Sequence, residues 1–329
     1  MAPLRVRNQL VTVYGGSGFV GRHVVRALAR RGYRIRVAVR RPELAGFLRP
    51  LGAVGQIHAV QTNLRHGESV RKAAEGADAI VNLVAILHES GRQRFDAVHV
   101  VGAEAIASAA QDLGIARLAH VSAIGADAGS DSIYARTKAQ GEAAIVRHVP
   151  EAVIMRPSIV FGPEDHFFNR FAAMARLSPA LPLIGGGHTR FQPVFVGDLA
   201  QAIAMAVDGE TNPGTIYEIG GPQIRSFREL MEIMLAEIDR KRLLVSVPWP
   251  IARLMAAFLQ FLPTPLLTPD QVRQLARDNV VSDEAAIEGR TLQGLGIAPH
   301  AMASVLPTYL PRYRRFGQYT RPGAEHPGT

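Results

Sequence analysis

Two hydrophobic rhythms alternate along the first half of the chain. Short apolar runs rich in β-branched residues lie at 9–14 (QLVTVY), 34–39 (RIRVAV), 79–86 (AIVNLVAI), 117–123 (RLAHVSA) and 152–157 (AVIMRP). Helically spaced stretches separate them, at 19–31, at about 93–113 where the run is Ala-rich, and around Tyr134. Strands that read apolar throughout and alternate with helices predict a parallel sheet covered on both faces, a doubly wound α/β domain.

After Pro157 the rhythm loosens. Residues 161–207 mix a helix, a Gly-Gly-Gly turn and a short strand, 214–221 (GTIYEIGG) read as one more strand, and the remainder is helical with proline punctuation. The expected division is a nucleotide-binding domain over 1–162 and a smaller, partly interleaved α/β domain over 163–329. Some segments of the second are expected to return to the first sheet. In 249–263 (WPIARLMAAFLQFLP), Ile251, Leu254, Phe258 and Phe261 share one helical face, with Met255, Leu259 and Leu262 beside it. This is either a core helix or an exposed docking surface, and it is too short to span a membrane.

Chemistry enters at 11–28 (VTVYGGSGFVGRHVVRAL), where Gly15, Gly18 and Gly21 stand between a strand and a helix. The first glycine permits a tight turn, the second lets backbone N–H groups approach a pyrophosphate, and the third allows close helix packing. The second strand ends in Arg40 and Arg41 rather than in the acid that would bind the ribose 2′-hydroxyl of NAD. Arginines suit a 2′-phosphate, so NADP(H) is the expected cofactor. The competing reading is a solvated basic face, because residues 22–49 hold nine arginines and one acid.

Tyr134 and Lys138 lie four apart on one helix, and Ser122 arrives from the preceding strand. An ammonium near a phenol favours the phenolate, which would exchange a proton with a substrate hydroxyl or carbonyl. The same pair would serve a protein that only holds the cofactor.

Composition narrows the choices. The chain has 329 residues and no cysteine, which removes disulfides, thiolate catalysis and iron–sulfur ligation. The histidines form no metal-binding motif, so no metal is expected. A net charge of +9 would attract nucleic acid, a membrane surface or an acidic partner. Only three of the 37 basic residues are lysines and no nucleic-acid module is present, so no nucleic-acid partner is expected. The N-terminus has no signal-peptide pattern.

Taken in order, the glycine turn, TNL (62–64), NLVAI (82–86), Ser122 in HVSAIGA, Tyr134 with Lys138, and RPSIVFGP (156–163) resemble the extended and atypical short-chain dehydrogenases/reductases, which have the Rossmann fold. The resemblance implies catalytic roles for Ser122, Tyr134 and Lys138. It implies cofactor contacts from Gly15, Gly18, Phe19, Val20, Gly21, Arg40, Arg41, Asn63, Leu64, Val84, Ala85, Tyr134, Lys138, Pro157, Ser158 and Val160. Two positions depart from the pattern: Asn63 stands where an aspartate often touches the adenine, and His99 where an asparagine often begins a helix.

Within that superfamily the chain most resembles the nucleotide-binding accessory subunits of respiratory complex I, of the alpha-subcomplex subunit 9 type in its bacterial form. The discriminating stretch is 263–283 (PTPLLTPDQVRQLARDNVVSD). The resemblance implies a structural NADPH-holding subunit on the peripheral arm, near the quinone site, cytoplasmic and peripherally attached to the inner membrane. There Arg253, Arg312, Arg314, Arg315 and Arg321 would meet anionic headgroups. The alternative is a free NADP-dependent reductase, dehydrogenase or epimerase acting on a small molecule.

Overall fold

The computed structural model describes residues 8–262 and 265–317, so Arg321, Pro263 and Thr264 lie outside the described residues. In chain order, β1 (Leu10–Tyr14), α1 (Phe19–Arg30), β2 (Arg34–Val39), a 3₁₀ segment (Pro42–Leu51), β3 (Ile57–Gln61), α2 (Gly67–Ala74) and β4 (Ala79–Asn82) come first. A π-helical segment (Asp96–Val101), α3 (Gly102–Asp112), β5 (Leu118–Val121), α4 (Ile133–His148) and β6 (Val153–Pro157) follow. Next are β7 (Val160–Phe161), α5 (Phe168–Leu177), β8 (Ala180–Ile184), β9 (Arg190–Phe191) and β10 (Val194–Phe195). Then come α6 (Val196–Asp208), β11 (Ile216–Ile219), β12 (Arg225–Ser226), α7 (Phe227–Glu237) and β13 (Leu243–Val247). The described chain closes with α8 (Trp249–Leu259), α9 (Pro269–Gln274), α10 (Asp283–Ile287) and α11 (Met302–Val305).

The described residues fall into two compact units, one of 8–158, 196–220 and 281–299, the other of 159–195, 221–262, 265–280 and 300–317. The first holds a seven-stranded sheet in the order β11-β6-β5-β4-β1-β2-β3, parallel throughout. Val11, Val13, Val37, Ile80 and Val81 are fully buried, which is why these strands read apolar without alternation. On the helical layers α1 packs on α6, and α3 packs on α2 and α4. Between β1 and β4 the strand order changes direction, so the loops after these two strands diverge and open a crevice at their carboxyl ends.

Two elements are shorter than their apolar patterns predict. The run at 79–86 leaves the sheet after Asn82, because that side chain takes over the local hydrogen bonding: its Oδ1 accepts from the Val84 N–H at 3.1 Å. The Ala-rich stretch begins as the π-helical segment and becomes α-helical only at Gly102. There α4 crosses closely, for a Cβ on Gly141 would lie 2.2 Å from the His99 carbonyl oxygen.

The second unit carries three two-stranded sheets, β10-β7, β12-β9 and β13-β8. Its core gathers Phe161, Phe168, Phe191, Phe227, Leu230, Met231 and Tyr309. Asp165, buried among them, accepts from the Gly162, Phe167 and Asn169 N–H groups and from the Tyr309 hydroxyl at 2.6 Å. Residues 278–279 join β9: Asp278 pairs with Arg190 at 2.7 Å, and the Asn279 N–H donates to Arg190 O at 2.8 Å.

Helix α8 settles the two readings of its sequence in favour of an exposed face. It buries only Ala252 and Ala256, while its Leu254 and Phe258 are 62% and 70% exposed and Phe261, two residues beyond its end, is 81% exposed. Ala252 and Ala256 face inward with Trp249 packed against them, and Leu254 and Phe258 face out. Arg312 and Arg314 are not spare cations, since they bond Asn169 and Glu237 within the same unit.

Gly141→Ala tests the helix crossing. Adding the methyl group forces α4 and the π-helical segment apart and is expected to lower stability by about 1–3 kcal/mol in urea unfolding, despite alanine's better helix propensity. Unchanged or increased stability would show that the crossing is loose.

Candidate nucleotide-binding site

The site begins at the turn after β1. Gly15 has φ +79°, a conformation that disfavours a side chain, and its N–H donates to Ala38 O at 3.2 Å. The Gly18 N–H closes the turn onto Gly15 O at 3.1 Å. A Cβ on Gly21 would come within 2.4 Å of Gly15 O, so only glycine lets α1 start this close to the strand. The 12-residue α1 has no capping side chain and no acid in its first turn, which suits a pyrophosphate at its N-terminus.

This turn forms one wall of a cavity of about 310 Å³. Of the expected cofactor residues, Gly15, Gly18, Arg40, Asn63, Leu64, Val84 and Ala85 line it. Phe19, Val20 and Gly21 open α1 behind the turn, and Arg41, Tyr134, Lys138, Pro157 and Ser158 lie outside the lining. Val160 lies on β7 of the second unit. Sequence reasoning passed over Ser17, Thr62, Arg65, Arg92, Gln93 and Val98, all of which line the cavity. The arginines among them lie on loops, where hydrophobic period gives no signal.

Two of the three residues expected to be catalytic meet at the carboxyl end of β5, where Ser122 follows the strand and Lys138 bonds its last carbonyl. The Lys138 ammonium donates to Val121 O at 2.7 Å and is fully buried. Ser122 is 4% exposed, and its hydroxyl has no hydrogen-bond partner among the described residues. Tyr134, half-buried one turn before Lys138, meets the rings of His99 and Phe95 edge-on at 5.4 and 5.9 Å. Burial pushes Lys138 down to about 8, against the pull of Glu142 one turn on. Arg156 grips that carboxylate with two hydrogen bonds of 2.9 and 2.6 Å.

His99 connects the two halves of the site. Its Nε2 accepts from the Ile86 N–H at 3.1 Å, so this nitrogen carries no proton. The proton is therefore on Nδ1, which lies 3.1 Å from Thr137 Oγ1, and that hydroxyl lies within hydrogen-bond distance of the Ile133 and Tyr134 carbonyls. One imidazole thus joins the loop 83–86, which lines the cavity, to the helix that carries Tyr134 and Lys138. Burial, reinforced by the Lys138 charge, holds His99 down at about 3. Burial also lowers His120, whose Nδ1 lies 3.0 Å from the Asn82 amide nitrogen.

The fold and the glycine turn define a Rossmann-type nicotinamide-dinucleotide-binding protein. The cavity beside that turn is lined by Ser17, Asn63, Arg40 and Arg65 together with apolar Leu64, Val84 and Ala85, a mixture that suits a polar, partly aromatic ligand. Comparison with known proteins agrees: the chain belongs to the NAD-dependent epimerase/dehydratase family, whose model matches residues 11–220.

Over 320 residues it is 36% identical to the mitochondrial NADH dehydrogenase [ubiquinone] 1 alpha subcomplex subunit 9 of Arabidopsis thaliana, covering 94% of this chain and 79% of that one. It is 30% identical over 314 residues to the mitochondrial NADH-ubiquinone oxidoreductase 40 kDa subunit of Neurospora crassa, covering 95% and 82%. The crystal structure of DesIV, a dTDP-glucose 4,6-dehydratase from Streptomyces venezuelae with NAD and TYD bound, shares the fold. It matches with TM-score 0.70 at 23% identity, covering 94% of this chain and 98% of that one.

The electrostatics of His99 predict a pH dependence. Its folded value of about 3 lies below the unfolded 6.5, so the stability it confers is full above pH 6.5 and is lost as the pH falls toward 3. His99→Gln keeps an acceptor for Ile86 and a donor for Thr137 but cannot titrate. Urea unfolding from pH 6.5 to 4.5 should show the variant losing stability less steeply, by up to about 1.4 kcal/mol per pH unit. Equal slopes would place the acid sensitivity elsewhere.

Proposed function

We propose that this chain is an NADPH-holding accessory subunit of a respiratory complex I, bound to its peripheral arm beside the inner membrane. The observation that carries the reading is the reach of the similarity. The family model stops at residue 220, whereas the Arabidopsis complex I subunit matches 94% of the chain, and so extends well beyond the nucleotide-binding region. Beyond residue 220 the second unit presents the apolar face of α8, where Leu254 and Phe258 are mostly exposed. Such a face is expensive to leave in water and suits burial against a partner or a lipid interface. Among the described residues no helix is long and apolar enough to cross a membrane.

NADPH is preferred to NADH because Arg40, Arg65 and Arg92 line the nucleotide cavity and no acid does. Gly15, Gly18 and the start of α1 would hold the pyrophosphate, and Val84 and Ala85 would flank the dinucleotide from the β4 side.

A second reading is favoured by Ser122 and Lys138 at the end of β5, with Tyr134 one turn before Lys138 on α4. The bound nicotinamide would supply or accept a hydride. Ser122 would donate a hydrogen bond to a substrate carbonyl, Tyr134 would exchange its proton, and Lys138, lowered to about 8, would tune that exchange. This is an NADP-dependent dehydrogenase or epimerase of the same family acting on a free small molecule.

Native electrophoresis of detergent-solubilised membranes separates the two. The chain is expected to migrate with the NADH:quinone oxidoreductase band, and Leu254→Glu with Phe258→Glu should release it while NADPH binding persists. Tyr134→Phe should leave comigration intact. A chain that stays small and soluble, with or without these changes, would favour the enzyme.

A further inference from the structure

Strands β8 and β13 pair in parallel, with Leu243 opposite Ala180, Val245 opposite Pro182 and Val247 opposite Ile184. Successive side chains on such a ribbon point to opposite faces. One face, carrying Leu181, Leu183 and Leu244, packs into the core of the second unit. At the end of the other face Val247 and Ile184 meet Ala252 and Ala256 of α8. Leu243 and Val245, nearer its start, are 70% and 48% exposed. Because α8 lies on this same face, its outward Leu254 and Phe258 look out from the same side of the unit as the uncovered strand residues.

Cations gather where this face begins. Strand β8 comes shortly after Arg176 and Leu177, both exposed, and β13 follows directly on Arg240, Lys241 and Arg242. Burial, then the charges of Arg242, Arg176 and Arg315, hold Arg240 below the ordinary arginine value, so four guanidiniums share one neighbourhood. Arg240 Nε donates to Tyr313 O at 2.9 Å, and Arg242 Nε donates to Ala175 O at 2.7 Å. These partners are carbonyls, which hold the side chains in place without neutralising them. The turn itself reads Asp-Arg-Lys-Arg over 239–242, so its acid is outnumbered.

We infer that this basic-edged apolar face, from Leu177 and Leu243 to the outer side of α8, rests on a bilayer surface rich in anionic phospholipid, with Arg176, Arg240, Lys241 and Arg242 at the level of the phosphates. The inference deepens the proposed placement beside the inner membrane, on which it rests. It moves the cationic anchor from Arg312 and Arg314, which are bonded within the unit, to the start of β13. An acidic protein surface would pair the guanidiniums but set Leu177 and Leu243 against polar groups. A lipid interface offers phosphates and acyl chains side by side.

Flotation of the purified full chain with phosphatidylcholine vesicles, with and without phosphatidylglycerol, tests this. The chain should float with the anionic vesicles and stay behind with the neutral ones, and added salt should weaken the attachment. Arg176→Glu with Lys241→Glu should lower partitioning about 10-fold or more, and so should Leu177→Asp with Leu243→Asp, with the urea midpoint unchanged in both. Arg26→Glu with Arg30→Glu makes the same change in net charge at exposed positions of α1 and should cost less than about threefold. Absence of binding, equal binding to both vesicles, or an equal loss from the α1 pair overturns the inference. A chain that comigrates with the oxidoreductase yet floats with neither vesicle sinks the inference alone. One that floats as expected but does not comigrate sinks the accessory-subunit reading and leaves the lipid contact standing.

Discussion

The site depends on one topological constraint. Parallel strands put all their carboxyl ends on one edge, and the sheet changes direction between β1 and β4, so the loops that follow them part. Most of the nucleotide cavity is built from chain leaving that edge, the glycine turn after β1, Arg40 after β2, Thr62 to Arg65 after β3 and Leu83 to Ile86 after β4, and Arg92, Gln93, Ala97 and Val98 at the π-helical segment complete it. A polar ligand receives backbone N–H groups there without any strand giving up its ladder. The glycines at 15 and 21 are the local cost of that economy, one for its left-handed φ and the other for the closeness of α1 to the turn.

Around this crevice the buried polar groups work in concert. His99 holds the β4 loop on one ring nitrogen and faces Thr137 of α4 with the other, so one side chain ties the cavity wall to the Tyr134–Lys138 helix. Lys138, Glu142 and Arg156 form a chain of charges beneath them, with the strong pairing between the last two. Such a network fixes geometry whether or not turnover follows, because holding a ribose and polarising a carbonyl ask for the same placement. The distinction between a resident cofactor and a consumed one therefore lies outside the triad. The exposed outer face of α8 is a separate feature, which nothing in nucleotide binding explains.

Much of this was legible in the residues. Strands buried on both faces announce themselves by unbroken β-branched runs, and the glycine turn by its position between strand and helix. Other features were hidden for definite reasons. The end of β4 at Asn82 depends on a side chain bonding its own loop, which apolar content at 83–86 conceals. The π-helical start before α3 has the same composition as an α-helix. Arg65 lines the cavity from a loop, where hydrophobic period gives no signal, whereas Arg41 draws notice by standing beside a strand end. In α8 the apolar residues surround the helix, so the pattern alone could not say that two alanines form the buried side.

A chain that holds NADPH as a resident cofactor within a larger assembly should carry the nucleotide through purification of that assembly. The most direct measurement is to isolate the NADH:quinone oxidoreductase from native membranes, release the nucleotide by denaturation and quantify it against this chain, before and after long incubation with excess isotopically labelled NADPH. The account predicts about one NADPH per chain, with little label incorporated. An empty site, bound NADH, or rapid and complete exchange would contradict it.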